Sequence, residues 1–246
     1  MQLLVVGAGE MGRWFAAACG ADVVAFADRN QATAREAAAQ LDGARAVSLD
    51  ADDRFDVVCL AVPMSTVPDA IAEHAPKATE AVVDVSGEMR DSVAALDAHA
   101  GDNERASFHP LFSAANAPGN VPVVVGEDGP TVSAIRDALE AAGNEVFETT
   151  VDAHDRAMET VQAKAHTAVL AYALAAEPVD ERFHTSVSEP LSELVDGVTQ
   201  NTPTVYAEIQ RRFSGADSVA EAARELAETD DEGFERLYER AGRNHR

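Results

Sequence analysis

Lysine is nearly missing from this 246-residue chain: Lys77 and Lys164 are the only two, and the other seventeen cations are arginines. Against these 19 cations stand 43 Asp and Glu, a formal net charge of −24. A surface so short of positive charge repels phosphate, which excludes nucleic-acid binding by a general basic face and docking on anionic lipid. Aromatic residues are also scarce, at 5%. Acid excess, lysine scarcity and few aromatics together point to a halophilic protein, whose acidic coat holds water while salt screens its self-repulsion. The two cysteines, Cys19 and Cys59, sit in apolar runs and are expected to be buried, reduced thiols of a cytoplasmic protein. No basic-then-apolar leader and no apolar run of about 18 residues is present, so neither secretion nor membrane spanning is expected. No metal site is expected either.

What is there is well organised. With 46% hydrophobic residues in ordered runs, the chain is not disordered despite its charge. Short continuous apolar segments at Gln2–Val6, Asp22–Ala27, Phe55–Val62, Ala81–Val85, Val121–Val125 and Asn144–Phe147 alternate with helical stretches such as Gln31–Leu41 and Thr131–Ala142. That rhythm indicates an α/β fold with a mainly parallel, doubly wound Rossmann-type sheet. It changes near residue 150. Val151–Ala176 reads as one long helix closed by Pro178, and further helices are expected near 190–199, 204–213, 218–228 and 231–240. Two domains follow: an α/β domain over 1–150 and an all-α domain over 151–246. No acidic tail explains the charge, because the two parts carry −15 (9 cations, 24 acids) and −9 (10 cations, 19 acids).

The first strand runs into Gly7-Ala8-Gly9-Glu10-Met11-Gly12. A G-x-G-x-x-G between a strand and a helix is the context a dinucleotide requires: Gly7 for the turn, Gly9 for approach of a pyrophosphate, Gly12 for helix-on-strand packing, and helix N–H groups for the phosphates. Asp28 ends the second strand, where a carboxylate accepts from the ribose hydroxyls and repels a 2′-phosphate, so NAD is favoured and NADP remains possible through Arg29. Glu10 and Met11 belong to the same loop. Val62, Pro63 and Ser65, at the carboxyl end of a later strand, are candidates for the cofactor side of the crevice.

Of seven histidines, His74, His99, His184 and His245 stand in polar helix or tail contexts. His109 differs, because it follows the strand-like Ser107-Phe108 and precedes Pro110, which biases it to an extended backbone. A histidine held there suits proton transfer coupled to hydride transfer.

These segments resemble prephenate dehydrogenases of tyrosine biosynthesis. The likeness rests on the glycine loop, Asp56-Val57-Val58-Cys59-Leu60-Ala61-Val62-Pro63, Val83-Asp84-Val85-Ser86-Gly87, and above all His109-Pro110-Leu111-Phe112. It continues through His154-Asp155 with Met158, Gln162 and His166, and through Pro203-Thr204-Val205-Tyr206-Ala207-Glu208-Ile209. The resemblance implies NAD(P)-dependent oxidative decarboxylation of prephenate to 4-hydroxyphenylpyruvate, with His109 as the catalytic histidine, a nearby serine (Ser86 is the candidate) orienting it, and a homodimer formed through the helical domain. The chain departs from the family at Ser113, where a glycine is frequent, and in Pro190–Asp196, which lacks the family's carboxylate-binding arginine.

The substrate, a small dianion, then needs another cation, for which Arg90, Arg156, Lys164, Arg182, Arg211 and Arg212 are candidates. Spacing by four puts His154, Met158, Gln162 and His166 on one helix face, with Val161, Ala165, Ala168 and Tyr172 forming an apolar stripe beside it. Gln162 and His166 rank first as substrate contacts. Prephenate and arogenate stay open as substrates. A β-hydroxyacid-dehydrogenase-like reductase using Lys164 is the rival enzyme, and an NAD-responsive regulator is the non-enzymatic rival.

Overall fold

A computed structural model of the chain describes residues 1–200 and 202–244; His245 lies outside them. The chain divides into two compact units, Met1–Asp155 and Arg156–Arg246. The first holds eight strands: β1 (Gln2–Val6), β2 (Val23–Ala27), β3 (Arg45–Ala46), β4 (Phe55–Leu60), β5 (Ala78–Asp84), β6 (Glu104–Phe108), β7 (Asn120–Glu127) and β8 (Glu145–Glu148). They form one sheet in the order β3-β2-β1-β4-β5-β6-β7-β8. The strands β1 to β6 are parallel neighbours in the dinucleotide-binding order, and the chain reverses once, where β7 runs antiparallel to β6. The doubly wound α/β class expected from the strand rhythm is the one observed.

Helices α1 (Glu10–Ala18), α2 (Gln31–Ala39), α3 (Val67–His74), α4 (Arg90–His99) and α5 (Pro130–Ala141) cover the sheet. Alternate residues of the central strands β1, β2, β4 and β5 feed two cores. Leu3, Val5, Val57, Cys59 and Val83 pack with Phe15, Phe26, Phe108 and Ile135 on one face. Leu4, Val6, Val58, Leu60 and Val82 pack with Ile71 and Leu96 on the other. Both faces are dry, which is why these strands read as unbroken apolar runs. A buried phenylalanine such as Phe15 or Phe108 contributes about 2 kcal/mol by removal from water. Both thiols lie in the interior, where burial pushes Cys19 up to about 11 and Cys59 well above its ordinary value. Three elements escaped the sequence reading. β3 is two residues long, too short for periodicity to register, and α3 and α4 carry alanine and histidine where a clear apolar stripe would have marked them.

Helix α6 (Val151–Met158) begins in the first unit and runs into the second. The expected single helix is interrupted: Glu159–Lys164 is a π-helical segment before α7 (Ala165–Ala175). A π turn carries more residues per turn than an α turn. Burial accordingly steps from His154 to Met158 and then five residues on to Ala163, so the four-residue face does not persist. Of the neighbouring apolar stripe, Val161, Ala165 and Ala168 are exposed and Tyr172 is half-buried. Helices α8 (Ser188–Thr199), α9 (Pro203–Arg212), α10 (Gly215–Glu228) and α11 (Asp231–Asn244) complete the second unit. Among the described residues no helix is long and apolar enough to cross a membrane.

Candidate active site

The glycine loop is locked by contact with the neighbouring strand. Gly7 has φ +98°, and a Cβ there would lie 2.3 Å from the Ala61 carbonyl oxygen; a Cβ at Gly12 would lie 2.1 Å from the Gly7 oxygen. Gly9 has nothing within 4 Å of its Cβ position, so the loop is open where a ligand would approach. Gly9 also caps α1 with no side-chain hydrogen bond, leaving the first-turn N–H groups for an incoming anion. Glu10 is exposed and Met11 half-buried. Asp28, directly after β2, ties this loop down: Oδ2 accepts from the Ala8 N–H at 3.0 Å and Oδ1 from the Asn30 N–H at 2.8 Å. Each carboxylate oxygen keeps a further lone pair for a hydroxyl. Arg29 beside it is exposed. Strand β4 ends at Leu60 rather than Val62, so half-buried Val62 and exposed Pro63 and Ser65 stand in the loop beyond the strand. An uncapped helix start, an open Gly9 and a fixed carboxylate fit a dinucleotide.

His109 immediately follows β6, at the same carboxyl edge of the parallel strands. Its backbone N–H donates to the Pro122 oxygen at 3.0 Å, which continues the β6–β7 ladder and sets the direction of the side chain. The ring is buried, and burial together with the neighbouring His154 pushes its pKa down to about 3, so it is neutral throughout the physiological range. Nδ1 lies 2.8 Å from His154 Nε2, and His154 Nδ1 lies 2.8 Å from Asp155 Oδ1. At the other nitrogen, a Cβ on Gly87 would stand 3.5 Å from His109 Nε2 and 2.9 Å from Met64 Sδ. Gly87, Met64 and the ring therefore converge.

The loop carrying Gly87 hangs from Asp84, the last residue of β5. Oδ1 of Asp84 accepts from the Ser86 N–H at 3.0 Å and the Ser107 hydroxyl at 3.1 Å. Oδ2 has no hydrogen-bond partner among the described residues. Burial pushes this carboxyl up to about 7 in spite of those donors. Ser86 is buried, and its hydroxyl accepts from the Glu88 N–H at 3.4 Å; the position that faces the His109 ring is its neighbour Gly87.

Gln162 and His166 belong to the second unit. Gln162 is in the π-helical segment, and the His166 ring packs on Tyr206 at 4.7 Å between centroids. Of the candidate cations, Arg90 donates to Asp152 at 2.7 Å and Arg182 grips both oxygens of Asp180. His154, Asp155, Asp84 and Gly87 were not singled out as site residues from the sequence. A carboxylate ending an apolar strand, and a His-Asp pair in the first turn of a helix, were the available signals.

Residues 2–88 match the family model described as "NADP oxidoreductase coenzyme F420-dependent". No curated protein matches the sequence. Among solved structures, prephenate dehydrogenase from A. aeolicus in complex with hydroxyphenyl propionate and NAD+ superposes with a TM-score of 0.73 at 18% identity, covering 100% of this chain and 97% of that one. Synechocystis arogenate dehydrogenase gives 0.62 at 17% identity, covering 100% and 99%. Mycobacterium tuberculosis 3-hydroxyisobutyrate dehydrogenase gives 0.58 at 18% identity, covering 98% and 94%. At such identities the likeness establishes a shared fold: a Rossmann-type α/β domain followed by helices.

Proposed function

We propose that the protein is an NAD-dependent dehydrogenase that oxidatively decarboxylates prephenate to 4-hydroxyphenylpyruvate. The observation that carries the reading is His109, a buried neutral imidazole at the carboxyl edge of the sheet whose Nε2 faces the loop at Gly87. Full-length similarity in fold to prephenate dehydrogenase supports it. The N–H groups of Gly9–Gly12 would hold the pyrophosphate, Asp28 the adenosine ribose, and Val62, Pro63 and Ser65 the other end of the dinucleotide. When bound, the nicotinamide supplies the acceptor for the hydride on the carbinol carbon. His109 Nε2 takes the hydroxyl proton as that carbon is oxidised, and the negative charge developing on oxygen offsets the cost of a buried imidazolium. The ring carboxylate then leaves as carbon dioxide, and its electron pair aromatises the ring. The resulting phenolate recovers a proton.

The second unit exposes Val161, Leu174, Val179, Phe183, Val187 and Leu194, and strongly apolar α7 has no buried residue. So much uncovered apolar surface supports a homodimer through the helical unit. Gln162 and His166 are assigned there to the substrate. The acid coat fits a cytoplasmic protein working in high salt.

The test is turnover. Purified protein should reduce NAD, read as NADH absorbance, with prephenate or arogenate across a wide range of salt. His109→Gln should lower kcat by about 100-fold or more while leaving the NAD dissociation constant unchanged. Reduction by neither substrate, with NAD binding intact, would sink the assignment.

A further inference from the structure

We propose that His154 and Asp155 are positioning residues that hold His109 in the tautomer with its proton on Nδ1, leaving Nε2 as the acceptor. The inference rests on the reading of His109 as the base. The three side chains form one hydrogen-bonded line: His109 Nδ1 to His154 Nε2 at 2.8 Å, and His154 Nδ1 to Asp155 Oδ1 at 2.8 Å. The order of donors follows from the far end. A carboxylate only accepts, so when His154 carries a single proton that proton sits on its Nδ1. Its Nε2 is then a lone pair, and only an N–H on His109 Nδ1 can satisfy it. A neutral imidazole carries one such proton, so His109 Nε2 carries none.

Each member is fixed independently. The His154 side chain is fully buried. Its backbone N–H donates to the Thr150 oxygen at 2.9 Å, in a first turn of α6 capped by the Thr150 hydroxyl on the Ala153 N–H. Asp155 Oδ1 also accepts from the Met89 N–H at 3.3 Å, while Oδ2 stands 3.8 Å from Arg90 Nε. The carboxylate is therefore held from two sides and cannot turn away from the imidazole. Met89 and Arg90 follow directly on the Gly87 loop, so one short segment supports both nitrogens of His109. Once Nε2 has taken a proton, the Nδ1–H still donates to His154, with the Asp155 charge behind it, and the line steadies the cation.

The experiment is ¹⁵N side-chain NMR of the full-length labelled protein near neutral pH, without substrate, with His109 assigned by its loss in His109→Gln. Wild type should show His109 protonated on Nδ1 and bare on Nε2. In His154→Leu the Nε2–H form should appear and kcat should fall by about 100-fold, with KM and NAD affinity changed by less than threefold. His154→Gln offers an amide oxygen to His109 Nδ1 and should restore most of both signals. A wild-type His109 protonated on Nε2, or a His154→Leu protein with the wild-type tautomer or the wild-type kcat, overturns the proposal. If His154→Leu does not fold, the wild-type spectrum decides alone. Failure of the enzymatic reading is separable, because it would abolish turnover in wild type and leave the tautomer where it is.

Discussion

Replacing Asp84 by asparagine should make stability less sensitive to pH. The carboxyl is fully buried, with Oδ1 on the Ser86 N–H and the Ser107 hydroxyl and Oδ2 without a hydrogen-bond partner among the described residues. Burial raises its pKa from 3.8 to about 7. Between those values the native protein keeps a proton that the unfolded chain has released. Stability is thus greatest below the lower value, falls as pH rises through the window, and stops falling above about pH 7. Each unit costs about 1.4 kcal/mol, so between about pH 5 and pH 8 this one group costs the wild type about 3 kcal/mol. Asparagine has no such proton to lose, and it keeps an oxygen for Ser86 and Ser107. Urea unfolding of wild type and Asp84→Asn at the two pH values cancels every other titrating group. The stability gap between them should widen by about 3 kcal/mol toward pH 8 in favour of the variant. A gap that is the same at both would mean that Asp84 ionises at its ordinary value, and the argument from burial would fail.

Three further outcomes follow from the same geometry. Asp28→Ser should weaken NAD roughly tenfold and strengthen NADP, since it removes both the ribose acceptor and the repulsion of a 2′-phosphate; fluorescence titration with the two cofactors measures this. Gly7→Ala should lose more than about 3 kcal/mol of stability, because the methyl meets the Ala61 oxygen at 2.3 Å and the residue is held at φ +98°. Thermal unfolding in saturating NAD checks it. Val161→Glu with Leu174→Glu should convert a dimer to a monomer in sedimentation velocity at high salt, both side chains being exposed on the helical unit.

Where chemistry is local, the sequence was readable. The glycine loop, Asp28 and the buried strands announce themselves through spacing and through apolar runs that need no partner to interpret. The place of His109 at the end of β6 was legible for the same reason, since a strand and a proline frame it. The contact of His109 with His154 was not. His154 appeared to share a stripe with Met158, Gln162 and His166, and no residue type marks the π-helical segment that breaks that stripe. The resemblance gave Ser86 the orienting role, and its buried hydroxyl accepts from the Glu88 N–H. That the neighbouring Gly87 also approaches the ring was not legible, because a bond direction of that kind depends on how Asp84 anchors the loop. The second unit was read well in its helices, whereas the burial of a helix face depends on what covers it.

Strand β8 ends at Glu148, and there the sheet is complete. His154 and Asp155 come a few residues later, in the first turn of a helix that goes on into the second unit. The portable module is thus longer than its sheet. A chimera joined directly after β8 would inherit every strand and the whole glycine loop, yet its histidine would have to find a proton acceptor in whatever sequence came next. A junction that keeps the line from His109 through His154 to Asp155 has to lie downstream of residue 155.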